Sequence, residues 1–106
     1  MTITGITVTL ARYVIENRKL TFECVAGFTL GGTPSTIIYM TLPYLAAFAA
    51  NYIFSGAAFF VDAGGGGLGL HRIDVAGTRT AFIKPAFANW IVGAGASLNL
   101  SGYYEI

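Results

Sequence analysis

The sequence predicts an all-β fold, an antiparallel β-sandwich or jelly roll of about seven or eight short strands. Three observations predict it. Apolar residues recur with a period of two along most of the chain. Gly, Pro and Asn interrupt it at short intervals. Helix-favouring composition is confined to one alanine-rich stretch. At 106 residues the chain makes a single domain, 1–106, long enough to bury roughly two-thirds of its unfolded surface.

The first strand is TITGITVTLARYVI (2–15), where β-branched and aromatic residues suit a pleated surface. ENR (16–18) is the most polar spot nearby and predicts a hairpin turn, with Asn17 as the residue that best tolerates positive φ. KLTFECV (19–25) alternates Leu20, Phe22 and Cys24 with Lys19, Thr21 and Glu23, as a strand with one buried and one wetter face does. GGTPS (31–35) breaks the chain again. STIIYMTLP (35–43) follows as a strand closed by Pro43, which cannot donate to a ladder. LPYLAAFAA (42–50) is the best helix candidate, although it follows a Pro and has no long 3.6 period. NYIFSGAAFFVDA (51–63) reads as a strand with a central Gly. LGLHRIDV (68–75) and TRTAFIKP (78–85) flank Ala76–Gly77 as a hairpin, and SLNLSGYYEI (97–106) ends the chain as a strand.

Composition narrows the function classes. Hydrophobic residues are 55% of the chain and charged residues 10%, against roughly 25% charged in ordinary soluble domains. A net charge of +1 leaves no electrostatic footprint for nucleic acid and no acidic binding face. No charge occurs from Val25 to Val61, and residues 42–61 have the length of a spanning helix. Pro43, Asn51, Ser55 and Gly56 interrupt that stretch and its flanks read as strands, so the expectation is no membrane insertion, with a small membrane protein as the distant alternative. A soluble chain so poor in charge hides surface in a partner, and a further copy of itself is the expected one. The lone Cys24 excludes an internal disulfide and alternates onto an apolar face, as an inert thiol would; no basic leader opens the chain.

The residues that carry chemistry are few. Glycines 64, 66 and 69 spell GxGxxG after the apolar run AAFFV (57–61). A dinucleotide site needs a helix after those glycines and an acid about 20 residues on. Here the alternating LHRIDV (70–75) follows, and Asn89 and Trp90 stand where the acid would, so no nucleotide cofactor is expected. Gly64–Gly67 reads instead as a glycine loop between two strands, a mobile surface tip or a place of close packing against a neighbouring subunit. His71 is the only histidine, and Asp62, Asp74 and Glu105 form no metal-ligand spacing with it. Five acidic residues could in principle supply a glycosidase pair, but nothing in the sequence brings two together, and the expectation is no catalysis, no cofactor and no metal. Trp90 precedes a Gly-rich turn and Tyr52 follows Asn51, a pairing of aromatic and amide that suits a sugar ring; structural packing is the plainer reading of each. Together with Asp62, His71 and Arg72 at the shoulders of the glycine loop, the candidate binding residues are Asn51, Tyr52, Asp62, His71, Arg72 and Trp90.

Residues 11–43, ARYVIENRKLTFECVAGFTLGGTPSTIIYMTLP, resemble a pattern in the distal C-terminal domains of bacteriophage tail-fibre and related virion proteins. The parts are Tyr13, the turn at Asn17, Leu20-Thr21-Phe22, Gly32-Thr33 and Leu42-Pro43; Asn17 stands where the family has Gly. The ending is similar too, with a Trp in a loop, a Gly-rich turn and a strand finishing as SGYYEI (101–106). The order of these parts carries the resemblance, and the middle of the chain (45–75) is diffuse. It implies a β-sandwich that trimerises about a fibre axis in the virion, beside other virion proteins, and attaches to a polysaccharide or protein of the host surface without catalysis. A purely architectural virion protein (capsid decoration, head fibre or baseplate subunit) is the alternative. MTITGITV (1–8) resembles an internal segment of longer fibre proteins, so the chain reads either as part of a larger fibre or as a small virion protein.

Overall fold

The computed structural model describes residues 1–44, 46, 53–74 and 78–106. They form one antiparallel sheet of seven strands: β1 (Thr2–Glu16), β2 (Lys19–Gly31), β3 (Ile37–Thr41), β4 (Ile53–Asp62), β5 (Gly65–Asp74), β6 (Arg79–Ile83) and β7 (Gly93–Glu105). A single 3₁₀ turn, Pro85–Phe87, lies between β6 and β7. The all-β antiparallel class is as the sequence predicts, and the strand order is β1-β2-β7-β4-β5-β6-β3.

Two expectations change. The two stacked sheets of a sandwich are replaced by one curled sheet, because β7 pairs with β2 along one edge and with β4 along the other, leaving no break in the ladder to separate two layers. The strands are also not all short: β1 has 15 residues and β2 and β7 have 13 each, against a usual length of about 5–6. Register shifts between Thr4 and Thr7 and between Val8 and Leu10 bend β1 and let so long a strand follow the curl.

Turn chemistry sets the hairpins. Asn17 and Arg18 both have positive φ (49° and 67°), as a two-residue hairpin matching the strand twist requires; Asn17 was expected there and Arg18 was not. Between β4 and β5, Asp62 pairs with Gly65, so the turn is Ala63–Gly64 alone. The glycine loop expected at 64–67 is therefore a tight hairpin whose last three glycines are strand. Gly64 N–H donates to Asp62 Oδ1 at 2.9 Å, which fixes the turn from its own first residue. The helix candidate at 42–50 falls mostly outside the described residues, and Leu42–Tyr44 and Ala46 are not helical. The hairpin turn expected at Ala76–Gly77 lies outside the described residues as well.

The alternation read from the sequence becomes the two faces of the sheet. Leu20 and Phe22 on β2, Leu98, Leu100 and Tyr104 on β7, Ala58 and Phe60 on β4, Ile73 on β5 and Phe82 on β6 are buried on the concave face. The opposite face of β1, β2 and β7 carries Thr4, Thr29, Ser97, Asn99 and the exposed ion pair of Arg12 with Glu23 at 2.8 Å. Trp90, from the β6–β7 connection, plugs one end of the core. It is fully buried, and its ring packs on Phe60 (5.4 Å), Phe82 (5.5 Å) and Phe28 (6.3 Å between centroids). Such pairs add about 0.5–1.5 kcal/mol each beyond the area they bury.

The curl brings the two edge strands face to face without joining them. Ile3, Ile6 and Val8 of β1 stand across a groove from Ile38 and Met40 of β3. Farther along, Tyr13 packs edge-on against Tyr44 (5.6 Å), and the Tyr104 hydroxyl donates to Tyr44 O (2.8 Å) and accepts from Tyr44 N–H (3.2 Å). This seam leaves β1 uncovered. Of its residues only Leu10 is even half-buried, and Ile6 is 62% exposed.

Candidate functional site

The predicted receptor-binding residues that are described do not assemble into a surface site. Asn51 and Tyr52 lie outside the described residues. Asp62, His71 and Trp90, expected at the surface, are 6%, 0% and 0% exposed. Their positions follow from strand register: Phe60, Asp62, His71 and Ile73 share the concave face, and the core closes over them.

Asp62 is half of a buried ion pair. Lys84 Nζ donates to its Oδ2 at 2.8 Å and to Asn89 O at 3.0 Å, while Ile91 N–H donates to the same Oδ2 at 3.0 Å. Burial by itself raises the pKa of the carboxyl. The hydrogen bonds from Lys84, Ile91 and Gly64 outweigh it and hold Asp62 below the usual carboxylate range. The ammonium also lies 5.1 Å from the Phe60 ring centre and 5.9 Å from that of Trp90. Together with the main-chain N–H of Trp90 donating to Ser35 O at 2.8 Å, these bonds pin the connection from Lys84 to Ile91 against the end of the sheet. The pair works as a clamp on a loop, with its oxygens and nitrogen occupied from within.

His71 sits deeper. Its Nε2 lies 2.8 Å from Ser101 O and its Nδ1 3.0 Å from Thr80 Oγ1. Burial pushes its pKa below the ordinary value, with the ring's hydrogen bonds to backbone at Ser101 and Ala57 pulling the other way. In the neutral ring Nε2–H donates to the Ser101 carbonyl, while the single Thr80 hydroxyl proton has both His71 Nδ1 and Arg72 O (3.0 Å) within reach. Cys24 is half-buried with its pKa raised by burial, so it is held as a thiol, a poor nucleophile. Among the described residues no group of His, Cys, Asp and Glu could hold a metal ion, and no helix is long and apolar enough to cross a membrane.

Among the described candidates only Arg72 reaches a groove on the surface. It borders a groove of about 550 Å³ on the convex side of β4, β5 and β6, walled by Ala57, Leu68, Leu70, Ile83 and Phe87. Sequence reasoning missed these walls. The alternation of Leu68, Leu70 and Arg72 is plain in the sequence, but it does not say that this face is the outer one. Leu68 (68%) and Phe87 (69%) are the most exposed large apolar residues among those described. A second groove, about 200 Å³, is the seam between β1 and β3.

The chain matches no family model, no curated protein and no solved structure with which it was compared.

Proposed function

We propose that the chain is a non-enzymatic virion module, a homotrimeric domain at the tip of a phage tail fibre that attaches to the host surface. The observation that carries the oligomer is β1. A 15-residue edge strand offers a row of unpaired backbone groups, and its side chains facing the seam (Ile3, Ile6, Val8, Tyr13 and Ile15) are all exposed. Natural sheets protect such an edge with charge, Pro or a covering element, and Arg12 and Glu16 are the only charges on β1. Subunit contact along the seam covers it. The resemblance of residues 11–43 and 101–106 to distal fibre domains supplies the number three and the location.

Mass photometry of the purified chain tests this directly. The expected species is a trimer, and a stable monomer at micromolar concentration would overturn the reading. Binding of the labelled trimer to intact bacteria and to a glycan array tests the attachment step.

One observation favours the architectural alternative. Asp62, His71 and Trp90, the polar and aromatic groups best suited to a sugar, are buried and engaged internally. A trimer that binds neither cells nor glycans would be a structural subunit of the virion.

A further inference from the structure

The geometry points to the groove on β4, β5 and β6 as a binding site for a single-chain amphiphile with a carboxylate head, the alkyl chain lying along Leu68 and Leu70 and the carboxylate on Arg72. This site is separate from the β1 seam and goes beyond the oligomeric reading. Four features carry it.

The first is local composition. The convex face of β1, β2 and β7 mixes Thr4, Thr29, Ser97 and Asn99 with the exposed Val14 and Tyr103, whereas the groove is walled by Ala57, Leu68, Leu70, Ile83 and Phe87. Its volume, about 550 Å³, falls in the roughly 300–1,000 Å³ range of small-molecule sites. The second is the charge at its end. Arg72 makes no ion pair among the described residues, and its Nε is shut from solvent without a hydrogen-bond acceptor. With no acidic partner among the described residues, the guanidinium beside the groove is the charge open to a ligand lying there. The third is the rim. Ala86 and Phe87 are consecutive non-glycine residues with positive φ (59° and 54°), a backbone region that L-residues avoid. The turn is held by Phe87 N–H on Lys84 O (3.1 Å) and by the Lys84–Asp62 clamp. What that strain achieves is an aromatic ring held over the groove instead of in the core.

The fourth is shape and charge number. Leu68, Leu70 and Arg72 are alternate residues of one strand, so the apolar floor and the guanidinium span about 14 Å. A linear chain fits that line better than a compact ring. One guanidinium balances one carboxylate, with which it forms a two-pronged contact, whereas a phosphate monoester would bring nearly a second charge onto an apolar floor.

The test is titration of the full chain with sodium decanoate below its micellar concentration, followed by calorimetry and by amide NMR shifts, with 1-decanol and acetate as probes of chain and head alone. Saturable decanoate binding is expected, with shifts confined to β5, Ile83 and Phe87, and weaker binding of both controls. Arg72→Gln is expected to weaken decanoate at least tenfold while leaving decanol unchanged, and Arg72→Lys to recover part of the loss. Leu70→Ser, at a half-exposed position, is expected to weaken both ligands with the circular dichroism spectrum unchanged. Equal affinity for decanol and decanoate, an unaltered Arg72→Gln variant, or shifts centred on the β1–β3 seam would each overturn the proposal. So would decanoate splitting the oligomer, because the groove would then be a subunit contact.

Discussion

Gly69 has no side chain because Phe82 occupies the place where one would go. A Cβ there would stand 2.7 Å from the Phe82 ring and 2.8 Å from Ile83 O. Gly69→Ala is expected to cost about 1–3 kcal/mol, the usual range for overpacking; a thermal melt unchanged within error would refute the assignment. Gly56 is tighter still, since a Cβ would run into Ser101 O and come within 2.9 Å of His71 Nε2, so Gly56→Ala should lie at or above the top of that range. These glycines look in sequence like flexibility, and the third G of GxGxxG is in fact a packing requirement. His71 and Asp62 make stability depend on pH in two windows. The folded state holds His71 with a lowered pKa, so the unfolded chain takes up a proton first as pH falls below about 6.5, and stability declines there. Asp62 also has a lowered folded pKa; its contribution is present above about 4 and is lost as pH falls through the folded value. Melting curves from pH 7.5 to 3 should show both declines. In His71→Gln the slope between pH 7 and 5 should flatten, and a slope equal to the parent's would assign it to another group. Neither burial was legible in the sequence, because a one-residue change of register moves a strand residue from core to solvent without altering the alternation.

At the scale of the element, β1 and the Lys84–Ile91 connection carry the consequences. Ile6→Lys with Val8→Lys places two charges on the exposed, seam-facing side of β1. Under the proposed trimer the double variant is expected to be monomeric with its β-type circular dichroism retained; an oligomer unaffected by the two lysines would remove the seam from the proposed interface. Lys84→Met leaves Asp62 buried beside two backbone N–H donors but without its cation. Breaking such a pair from one side typically costs about 3–5 kcal/mol. Fluorescence of Trp90, the single tryptophan, should shift to the red as the connection loosens. Strand positions were the most legible part of the fold: β1, β3, β4, β6 and β7 fall on stretches whose alternation or β-branched content predicts them. The clamp was not legible, because Asp62 and Lys84 are 22 residues apart in regions with no spacing rule to link them.

For the whole molecule, a single curled sheet with an open seam is less self-sufficient than two closed layers. If copies cover one another's seams, folding and association are linked, and the melting temperature should rise with protein concentration; a midpoint constant across a hundredfold dilution would speak for a self-sufficient monomer. The sequence could predict β structure and antiparallel pairing because both are local. The curl depends on which strands become neighbours, and β7 between β2 and β4 is a pairing that no adjacent turn encodes. That insertion has a consequence in time. During synthesis the β1–β2 hairpin is complete long before residues 93–105 exist, yet it reaches the rest of the sheet only through them. Until residues 93–105 leave the ribosome, the β7-facing edge of β2, with Leu20, Phe22 and Phe28, is unpaired, and the nearest substitute is the same hairpin on a neighbouring nascent chain. Crowded polysomes therefore favour mispairing between chains, and slowed elongation through the codons for residues 84–105 lengthens the exposure.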